Sequence, residues 1–284
     1  MSLADPIKKK RKVMGAAPSS SSSLVPANES PSIDSLLELP VHSVPLEIVE
    51  EIFHNLPHDR VIQHCRLVCK QWKEVVDSES LWRERCRREG LLPRDVTRTP
   101  DDWRMYYVLC KKRRNLLKNP KAEGKFKYWR ILENGGDRWK IEDVMEQHPN
   151  ANVQKNFVTS YQMCLMSQEI NLTSEGYNSS FMDRFQPPIK ITDWYAARWD
   201  CACKYIIKVE LLDENKRCLQ KFEPAAVDLD QGENQWYQTT HVFTNYGPGV
   251  RYLNFVHGGK DRQFWAGWYG VRVTDSSVEV CPEV

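Results

Sequence analysis

Long hydrophobic segments are missing from this 284-residue chain, and no apolar run approaches the ~20 residues that a membrane-spanning helix needs. A strong charge of one sign is missing too, because the formal net charge is only +2. Without residues 1–13, 35 lysines and arginines stand against 37 aspartates and glutamates. A slightly acidic body lacks the basic footprint of a nucleic-acid-binding domain. The composition predicts a protein in water that neither inserts into a membrane nor binds nucleic acid.

Paired cysteines at metal-binding spacing are also missing. Of the nine cysteines, Cys65 and Cys69 lie four apart, Cys201 and Cys203 lie two apart, and the others stand alone. No second pair follows to complete four zinc ligands at the usual spacing. The cysteines are predicted to be reduced and mostly buried, as is typical of cytosolic or nuclear proteins, and no metal or cofactor is expected.

Signatures of catalysis are missing as well. The chain contains no Gly-x-Ser-x-Gly segment around a nucleophile and no phosphate-binding glycine loop. Two sequences, Asn171-Leu-Thr and Asn178-Ser-Ser, match the N-glycosylation sequon, but no secretory segment precedes them, so both are interpreted as chance. These absences favour a protein without catalytic residues. The alternative is a catalytic ligase, which thioester formation on the purified chain would reveal.

The N-terminal segment, residues 1–38, contains little that could form a core. It includes Pro6-Ile-Lys-Lys-Lys-Arg-Lys-Val13, then Met14, and a serine run at residues 19–23. This composition predicts disorder. The basic stretch resembles a viral nuclear-localisation peptide that is widely used as a fusion tag, and Met14-Gly resembles an original start. An attached tag is favoured over a native nuclear signal.

Residues 39–90 are predicted to form short helices. Pro45 suits the first turn of the first helix, and Pro57 ends it. Apolar residues recur in that helix at helical spacing, at Leu46, Val49, Ile52, Phe53 and Leu56. A second helix is predicted from about Asp59 with two apolar faces, and Ser78 is predicted to cap a third, which carries Trp82. A segment this short forms only a marginally stable core by itself. Part of its apolar surface is therefore predicted to contact another protein. The alternative is a small bundle that buries all of it.

Residues 91–115 are predicted to be a linker with one helix, on which Trp103, Tyr106, Tyr107 and Cys110 are the apolar positions. The helix ends in a basic run, Lys-Lys-Arg-Arg at residues 111–114. Such a run can contact phosphate. A solvated face that also favours the helix dipole is the preferred interpretation.

Residues 116–284 are predicted to form an antiparallel β-sandwich. Apolar residues alternate with charged ones in one long strand, at Cys203, Tyr205, Ile207, Val209 and Leu211. Similar runs at residues 250–256 and 278–280 are separated by glycine and proline turns. A glycine-broken segment at residues 263–270 concentrates aromatic side chains. Core packing is the favoured role for those rings from sequence alone, and the alternative is a platform on which a sugar stacks.

The helical part carries a family resemblance. Leu39-Pro40, Pro45-Leu-Glu-Ile-Val-Glu-Glu-Ile-Phe53, Cys65-Arg-Leu-Val-Cys-Lys-Gln-Trp72 and Leu81-Trp-Arg83 resemble an F-box. The resemblance implies that this part docks onto the Skp adaptor of an SCF ubiquitin ligase. The docking residues that it implies are Pro45, Leu46, Ile48, Val49, Ile52, Leu56, Pro57, Cys65, Val68, Cys69 and Trp72.

The C-terminal part carries a second resemblance. Asn134-Gly-Gly-Asp-Arg-Trp139, Asp193-Trp-Tyr-Ala-Ala-Arg198, Tyr246-Gly-Pro-Gly-Val-Arg251 and Trp265-Ala-Gly-Trp-Tyr-Gly270 resemble the F-box-associated domain of sugar-chain-recognising F-box proteins. The resemblance implies a ten-stranded sandwich whose loops grip the chitobiose core of high-mannose N-glycans. The glycan-binding residues that it implies are Tyr161, Asp200, Phe264, Trp265 and Ala266. In the strongest binders of that family, three of these positions differ, with phenylalanine for Tyr161, tyrosine for Phe264 and lysine for Ala266.

The two resemblances together imply an α+β multi-domain protein with an N-terminal helical F-box, a helical linker and a C-terminal antiparallel, jelly-roll-like β-sandwich. The implied function is that of a non-catalytic substrate receptor. It would join misfolded N-glycosylated proteins to the Skp adaptor and cullin of an SCF complex, in the cytoplasm, for endoplasmic-reticulum-associated degradation. Nuclear targeting through the basic N-terminal segment is a further expectation. The alternative is a receptor that recognises protein surfaces independently of glycans.

Overall fold

Five helices occupy the first part of the computed structural model, which describes residues 44–95, 97–232 and 235–282. They are α1 Leu46–Asn55, α2 His58–Gln63, α3 Lys70–Asp77, α4 Glu79–Arg88 and α5 Trp103–Lys111, with a 3₁₀ turn at Cys65–Leu67. The predicted disorder and basic segment of residues 1–38, and the start of the F-box at 39–43, lie outside the described residues. Among the helices described, none has the length and apolar character to cross a membrane.

Local capping explains where the helices begin. The predicted cap at Ser78 is confirmed, because its Oγ accepts a hydrogen bond from the backbone N–H of Leu81 at 3.4 Å. Asp102 begins α5 in the same way and accepts from the N–H of Met105 at 2.7 Å. Pro57 precedes α2 with φ −54° and cannot continue α1, as predicted.

The prediction of one long second helix from about Asp59 is wrong. The structure has α2, the 3₁₀ turn and α3 in its place, because the backbone is extended at Cys69, with φ −156° and ψ 171°. The Cys69 Sγ then accepts a hydrogen bond from the N–H of Trp72 at 3.5 Å and begins α3. This change of direction explains why the apolar residues of the stretch do not fall on one stripe.

The core of the helical part is built around Phe53, Val61, Val76 and Trp82, which are all fully buried. Arg85 of α4 is buried among them at 4% exposure. Its guanidinium donates to the carbonyls of Phe53 and Leu56, each at 2.8 Å, and so satisfies the carbonyl end of α1.

Helix α5 connects the helical part to the sandwich, and residues 46–284 form one compact unit. On one side, the hydroxyl of Tyr107 donates to Glu89 beside α4 at 2.6 Å. On the other, the ring of Tyr106 packs against Phe185 with centroids 5.3 Å apart. The Tyr106 hydroxyl donates to the carbonyls of Leu91 and Pro282 at 2.8 and 3.2 Å.

The basic run after α5 forms ion pairs with carboxylates of its own chain. Arg113 lies 2.8 Å from Glu279, and Arg114 lies 2.6 Å from Glu175. Lys111 lies 2.9 Å from Glu89. The run therefore fastens the linker to its neighbours, which leaves little of its charge for a phosphate.

Two antiparallel sheets form the C-terminal part, as predicted. The strands are β1 Arg130–Asn134, β2 Lys140–Asp143, β3 Lys155–Val158, β4 Cys164–Asn171, β5 Ile189–Ala196, β6 Cys203–Leu212, β7 Cys218–Phe222, β8 Val227–Leu229, β9 Tyr237–Phe243, β10 Tyr252–Asp261 and β11 Arg272–Val280. One sheet has the order β1-β4-β10-β6-β7 with β8 also paired to β6, and the other has the order β2-β3-β11-β5-β9. The described residues hold eleven strands, one more than the resemblance implies.

The alternation predicted for β6 is confirmed, since its residues are buried on one face and half-buried on the other. The run at residues 250–256 becomes part of β10, at the centre of its sheet, and the run at 278–280 becomes the end of β11. Gly258 and Gly259 of β10 have φ 149° and 151°, and a Cβ there would stand 2.0 Å from the carbonyl oxygen of Cys164 and 1.8 Å from that of Lys204. The neighbouring strands can therefore pair with β10 only if both residues are glycine.

Candidate functional site

The connection between β10 and β11 holds the aromatic segment at residues 263–270 in a fixed shape. Asp261 ends β10 and is 2% exposed. One oxygen of its carboxylate accepts the backbone N–H of Phe264 at 2.6 Å, and the other accepts that of Trp265 at 3.2 Å. Phe264 has φ +59°, a left-handed conformation that a bulky residue adopts at a cost. The charge-assisted hydrogen bonds offset that cost and fix the backbone from which both rings extend.

Two further loops support the far end of the same segment, one between β1 and β2 with Asp137 and Arg138, and one between β3 and β4 with Ser160. The carboxylate of Asp137 accepts the N–H of Gly267 at 2.5 Å, and Ser160 Oγ donates to the carbonyl of Gly267 at 2.7 Å. The indole N–H of Trp268 donates to the carbonyl of Arg138 at 3.1 Å. The segment is therefore held at both ends, which leaves its middle to face solvent.

Phe264 and Trp265 are the exposed part of this segment, at 66% and 45% of their surfaces. Tyr161, which is half-buried, meets Phe264 edge to face with ring centroids 5.1 Å apart. Trp265 stands perpendicular to Tyr269 at 5.5 Å. Core packing, which the sequence alone favoured, is wrong for Phe264 and Trp265. Two braced, exposed rings offer a surface on which an apolar ligand face can stack.

Asp200 lies in the adjacent turn between β5 and β6. The Nε of Arg198 is 2.8 Å from Asp200 Oδ1, but the pair lacks hydrogen-bond geometry, so this buried oxygen has no donor among the described residues. The Arg198 guanidinium also lies 4.4 Å from the ring of Tyr269. Asp200 is thus connected through Arg198 and Tyr269 to Trp265. Ala266, the fifth implied residue, is exposed and offers no polar side chain.

The five implied glycan-binding residues lie together on loops, and three residues that the sequence reasoning missed join them to form what we call the loop cluster: Tyr161, Arg198, Trp199, Asp200, Phe264, Trp265, Ala266 and Tyr269. Arg198 and Tyr269 link Asp200 to the aromatic segment, as described above. Trp199 precedes Asp200 in the same turn and is 59% exposed. Its signal in the sequence was a tryptophan beside an implied binding residue, but only the structure shows that its ring faces solvent.

The thiol nearest this cluster, that of Cys201, is buried. Burial, with the nearby carboxylates of Asp261 and Asp200, raises the pKa of Cys201 to about 11. Its Sγ donates to Gln263 Oε1 at 3.4 Å. Burial raises the pKa of Cys86 to about 12 as well. A protonated thiol does not attack a carbonyl or form a thioester readily.

A Ser-His-Asp set does occur, but it lies inside the sandwich. Asp193 Oδ2 is 2.9 Å from His257 Nδ1 and accepts the hydroxyl of Tyr205 at 2.6 Å, while its Oδ1 accepts that of Ser276 at 2.7 Å. Asp193, His257 and Ser276 are fully buried. Because a substrate cannot reach the serine, this set is a structural network. Within the described residues, no group of His, Cys, Asp and Glu side chains could hold a metal ion.

The helical part presents a second candidate surface. Exposed apolar side chains collect on α1 and on the turn before α3, and they define an apolar helical face: Leu46, Ile48, Ile52, Leu67 and Val68. Leu67 is 77% exposed and was missed in the sequence reasoning. Large side chains of this kind usually face the core, so their grouping marks a surface that meets a partner.

The implied docking residues divide by exposure. Those that are exposed are Pro45, Leu46, Ile48, Ile52, Pro57 and Val68, and those that are half-buried are Leu56, Cys69 and Trp72. Val49 and Cys65 are buried, at 1% and 8% exposure. In this structure these two support the apolar helical face from beneath.

Both parts of the chain match known protein families. Residues 107–280 match the family described as "F-box associated region", and residues 41–88 match the one described as "F-box-like". F-box only protein 6 of Bos taurus is 45% identical over 249 residues, which cover 86% of this chain and 94% of that protein. F-box only protein 44 of Homo sapiens is 42% identical, and the match covers 85% of this chain and 97% of that protein.

Among solved structures, the CBM22-1 xylan-binding domain from Paenibacillus barcinonensis Xyn10C is similar with a TM-score of 0.37 and 14% identity. That match covers 60% of this chain and 96% of the domain. The TmCBM61 structure in complex with β-1,4-galactotriose has a TM-score of 0.36 and 17% identity, and covers 58% of this chain and 97% of its own.

Proposed function

This chain belongs to the family of F-box substrate receptors that carry an F-box-associated region, and we propose that its loop cluster binds the chitobiose core of N-linked high-mannose glycans. In this proposal it is the substrate-recognition subunit of an SCF ubiquitin ligase. It selects misfolded glycoproteins in the cytoplasm and directs their ubiquitination and degradation. The observation that carries the proposal is the pair of exposed rings of Phe264 and Trp265, held by Asp261 beside Asp200.

The aromatic rings supply the apolar half of the site. The C–H face of a pyranose stacks on an indole, and Trp265 is exposed on a loop that is fixed at both ends. Phe264 and Tyr161 meet edge to face beside it and enclose the acetamido methyl group of N-acetylglucosamine. A fixed aromatic surface loses little entropy on binding, which suits a ligand that itself makes few strong contacts.

Asp200 supplies the polar half. Its Oδ1 is buried beside the Nε of Arg198 at 2.8 Å, while the side chain as a whole is 22% exposed. The other carboxylate oxygen therefore accepts a hydroxyl or amide N–H of the sugar, and Arg198 keeps the carboxylate in place. Ala266 adds no hydrogen bond, which costs about 0.5–1.5 kcal/mol of binding free energy relative to a site with a polar group there. We therefore expect stacking to dominate the affinity.

The opposite part of the chain binds the ligase. The apolar helical face, with Ile48 52% exposed, buries its side chains against the Skp adaptor, which in turn contacts the cullin. No residue of the chain takes part in bond making. The receptor accelerates ubiquitin transfer by holding the lysines of the client near a charged conjugating enzyme.

The test is a titration of the full chain, purified with its Skp adaptor, with chitobiose in a calorimeter. The wild-type protein is expected to bind saturably. Trp265→Ala is expected to weaken binding by about tenfold or more. Tyr128→Ala is the matched control, since Tyr128 is 54% exposed on the approach to β1, outside the loop cluster.

Absence of saturable binding to the wild-type protein would contradict the glycan proposal. A captured client should also be released when a glycosidase removes its N-glycans. Retention of the deglycosylated client would instead support a receptor for protein surfaces.

A further inference from the structure

Trp199 stands in the turn that joins β5 of one sheet to β6 of the other. The backbone N–H of Cys201 donates to the carbonyl of Arg198 at 3.1 Å, which closes a four-residue turn with Trp199 and Asp200 at its centre. The indole is 59% exposed and makes no ring contact with any described side chain. Most of the indole surface is therefore accessible to a ligand, on which a flat apolar face can stack.

The exposed aromatic residues of the protein are concentrated in one place. Among the described residues, four Trp, Tyr or Phe side chains are exposed, and three of them, Trp199, Phe264 and Trp265, belong to the loop cluster. Phe264 and Trp265 are assigned to the disaccharide in the proposed function. Trp199 is not used there.

The turn that carries Trp199 is fastened to the aromatic segment. The N–H of Arg262 donates to the carbonyl of Ala202 at 2.9 Å, and Cys201 Sγ donates to Gln263. Arg262 and Gln263 lead directly into Phe264. Trp199 therefore keeps its position relative to the disaccharide site, which is what an adjoining subsite requires.

The loop that contacts the Trp199 turn carries charged groups. The N–H of Gly232 donates to the carbonyl of Trp199 at 2.8 Å and brings the loop after β8 against the turn. In that loop Asp230 accepts from Arg262 at 3.0 Å, and Arg262 also lies 3.8 Å from Asp228. An apolar peptide would gain little from such a rim. A pyranose gains a stacking surface and, at its hydroxyl groups, carboxylate and guanidinium partners.

We propose that Trp199, with Asp230 and Arg262, forms an additional subsite for a further sugar ring, attached to the disaccharide that occupies Trp265. The inference rests on the proposed function of the same loop cluster. It makes the receptor selective for glycans longer than two sugars. The indole supplies the stacking surface, and the exposed carboxylate and guanidinium contact the hydroxyls of the ring.

The test compares two ligands by calorimetry on the full chain with its adaptor: chitobiose and the pentasaccharide that carries three mannoses on chitobiose. The wild-type protein is expected to bind the pentasaccharide more tightly. Trp199→Ser is expected to leave chitobiose binding within about twofold and to weaken pentasaccharide binding about threefold to tenfold. Trp199→Phe keeps an aromatic ring and should restore most of the difference.

The controls separate the inference from the function on which it rests. Tyr128→Ser removes an exposed aromatic of similar exposure elsewhere and should change neither affinity. If the wild-type protein binds neither saccharide, the proposed function and the subsite fall together. If both saccharides bind and Trp199→Ser changes neither affinity, or weakens both equally, the subsite alone is overturned. A loss seen only with a glycopeptide would assign Trp199 to the polypeptide and would also overturn it.

Discussion

Asp261 is the residue on which the geometry of the aromatic segment depends. Its carboxylate accepts two backbone N–H groups and keeps Phe264 in a left-handed conformation. Asp261→Asn retains the size of the side chain but replaces one acceptor oxygen with a donor. We expect chitobiose affinity to fall about fivefold to tenfold, because one N–H of the loop loses its acceptor.

The measurement is calorimetry beside thermal unfolding. Asp143→Asn is the control, since it makes the same chemical change at an exposed carboxylate that supports no backbone N–H in this segment. Equal affinities for chitobiose in wild-type protein and Asp261→Asn would show that the segment holds its shape without this carboxylate.

His148 links stability to pH at the residue scale. Burial lowers the pKa of its imidazole, which lies edge to face with Trp194 at 4.9 Å and Trp236 at 5.0 Å. A lowered folded-state pKa means that the unfolded chain takes up the proton more readily. The contribution of His148 to stability is therefore complete above the ordinary pKa of about 6.5 and is lost as pH falls toward the folded value.

We expect the free energy of unfolding to fall between pH 7.5 and pH 5.5, and to fall less in His148→Phe, which keeps the aromatic packing and cannot titrate. Urea unfolding at both pH values measures the two slopes. Identical pH dependence of the unfolding free energy in the two proteins would show that His148 does not contribute to it.

Arg85 shows how a helix of the F-box is held at the element scale. Its guanidinium satisfies the carbonyls of Phe53 and Leu56, and α1 carries the exposed Ile48 and Ile52, which we propose to contact the adaptor. In Arg85→Ala these carbonyls lose their charged donor. We expect a loss of about 2–4 kcal/mol in the free energy of unfolding, with weaker adaptor binding.

Urea unfolding and co-purification with the adaptor measure the two effects. Arg83→Ala provides the control, because Arg83 lies on the same helix and its side chain is exposed. A loss from Arg85→Ala no larger than that from Arg83→Ala would mean that α1 does not depend on this guanidinium.

Gly259 tests the pairing of β10 with its neighbours. A Cβ at this position would meet the carbonyl oxygen of Lys204 at 1.8 Å, so Gly259→Ala must separate β10 from β6. We expect a loss of more than about 3 kcal/mol in the free energy of unfolding, or recovery only as insoluble protein.

Gly232→Ala is the matched control. Gly232 has φ +89°, so alanine there is strained, but nothing lies within 4 Å of its Cβ position. Its loss of stability is therefore expected to be the smaller one. Similar losses from the two variants would attribute both to backbone strain alone.

The sequence could predict those elements whose burial repeats along the chain. Strand β6 could be predicted because every second residue is buried on the face that packs in the core. That burial produces an alternation of apolar and charged residues in the sequence. The edge strands β1 and β7 bury no residue completely and therefore show no such period. The division of the second helix at Cys69 was missed because no glycine or proline marks it, and tertiary packing sets its direction.

The candidate site could be predicted by residue identity but not by arrangement. Motif resemblance named Trp265 and Asp200, while periodicity would have placed the aromatic segment in the core. Exposure depends on how the loops stand above the sheets, which a local pattern does not encode. The contacts of Arg198 with Asp200 and Tyr269 join distant parts of the chain and were invisible for the same reason.

At the scale of the whole molecule, α5 holds the helical part and the sandwich together. Tyr106 packs on Phe185 and donates to the carbonyl of Pro282, while Arg113 pairs with Glu279. We expect a spin label on Cys218, which is exposed, and a second label on Leu67→Cys to give one narrow distance distribution. Combined Tyr106→Ala and Arg113→Ala should broaden it. Equal widths in both proteins would show that the two parts are oriented by other contacts.

The contacts that hold α5 between the helical part and the sandwich have a consequence for which clients are ubiquitinated. A receptor that cannot bend holds its bound client at one fixed distance from the ubiquitin donor. It therefore determines which lysines can be reached as well as which client is bound. Lysines on a flexible, unfolded client sweep through that distance, whereas lysines on a compact client remain wherever its surface puts them. Under the proposed function, discrimination against folded glycoproteins arises twice, once from access to the sugar and once from the reach of the client chain.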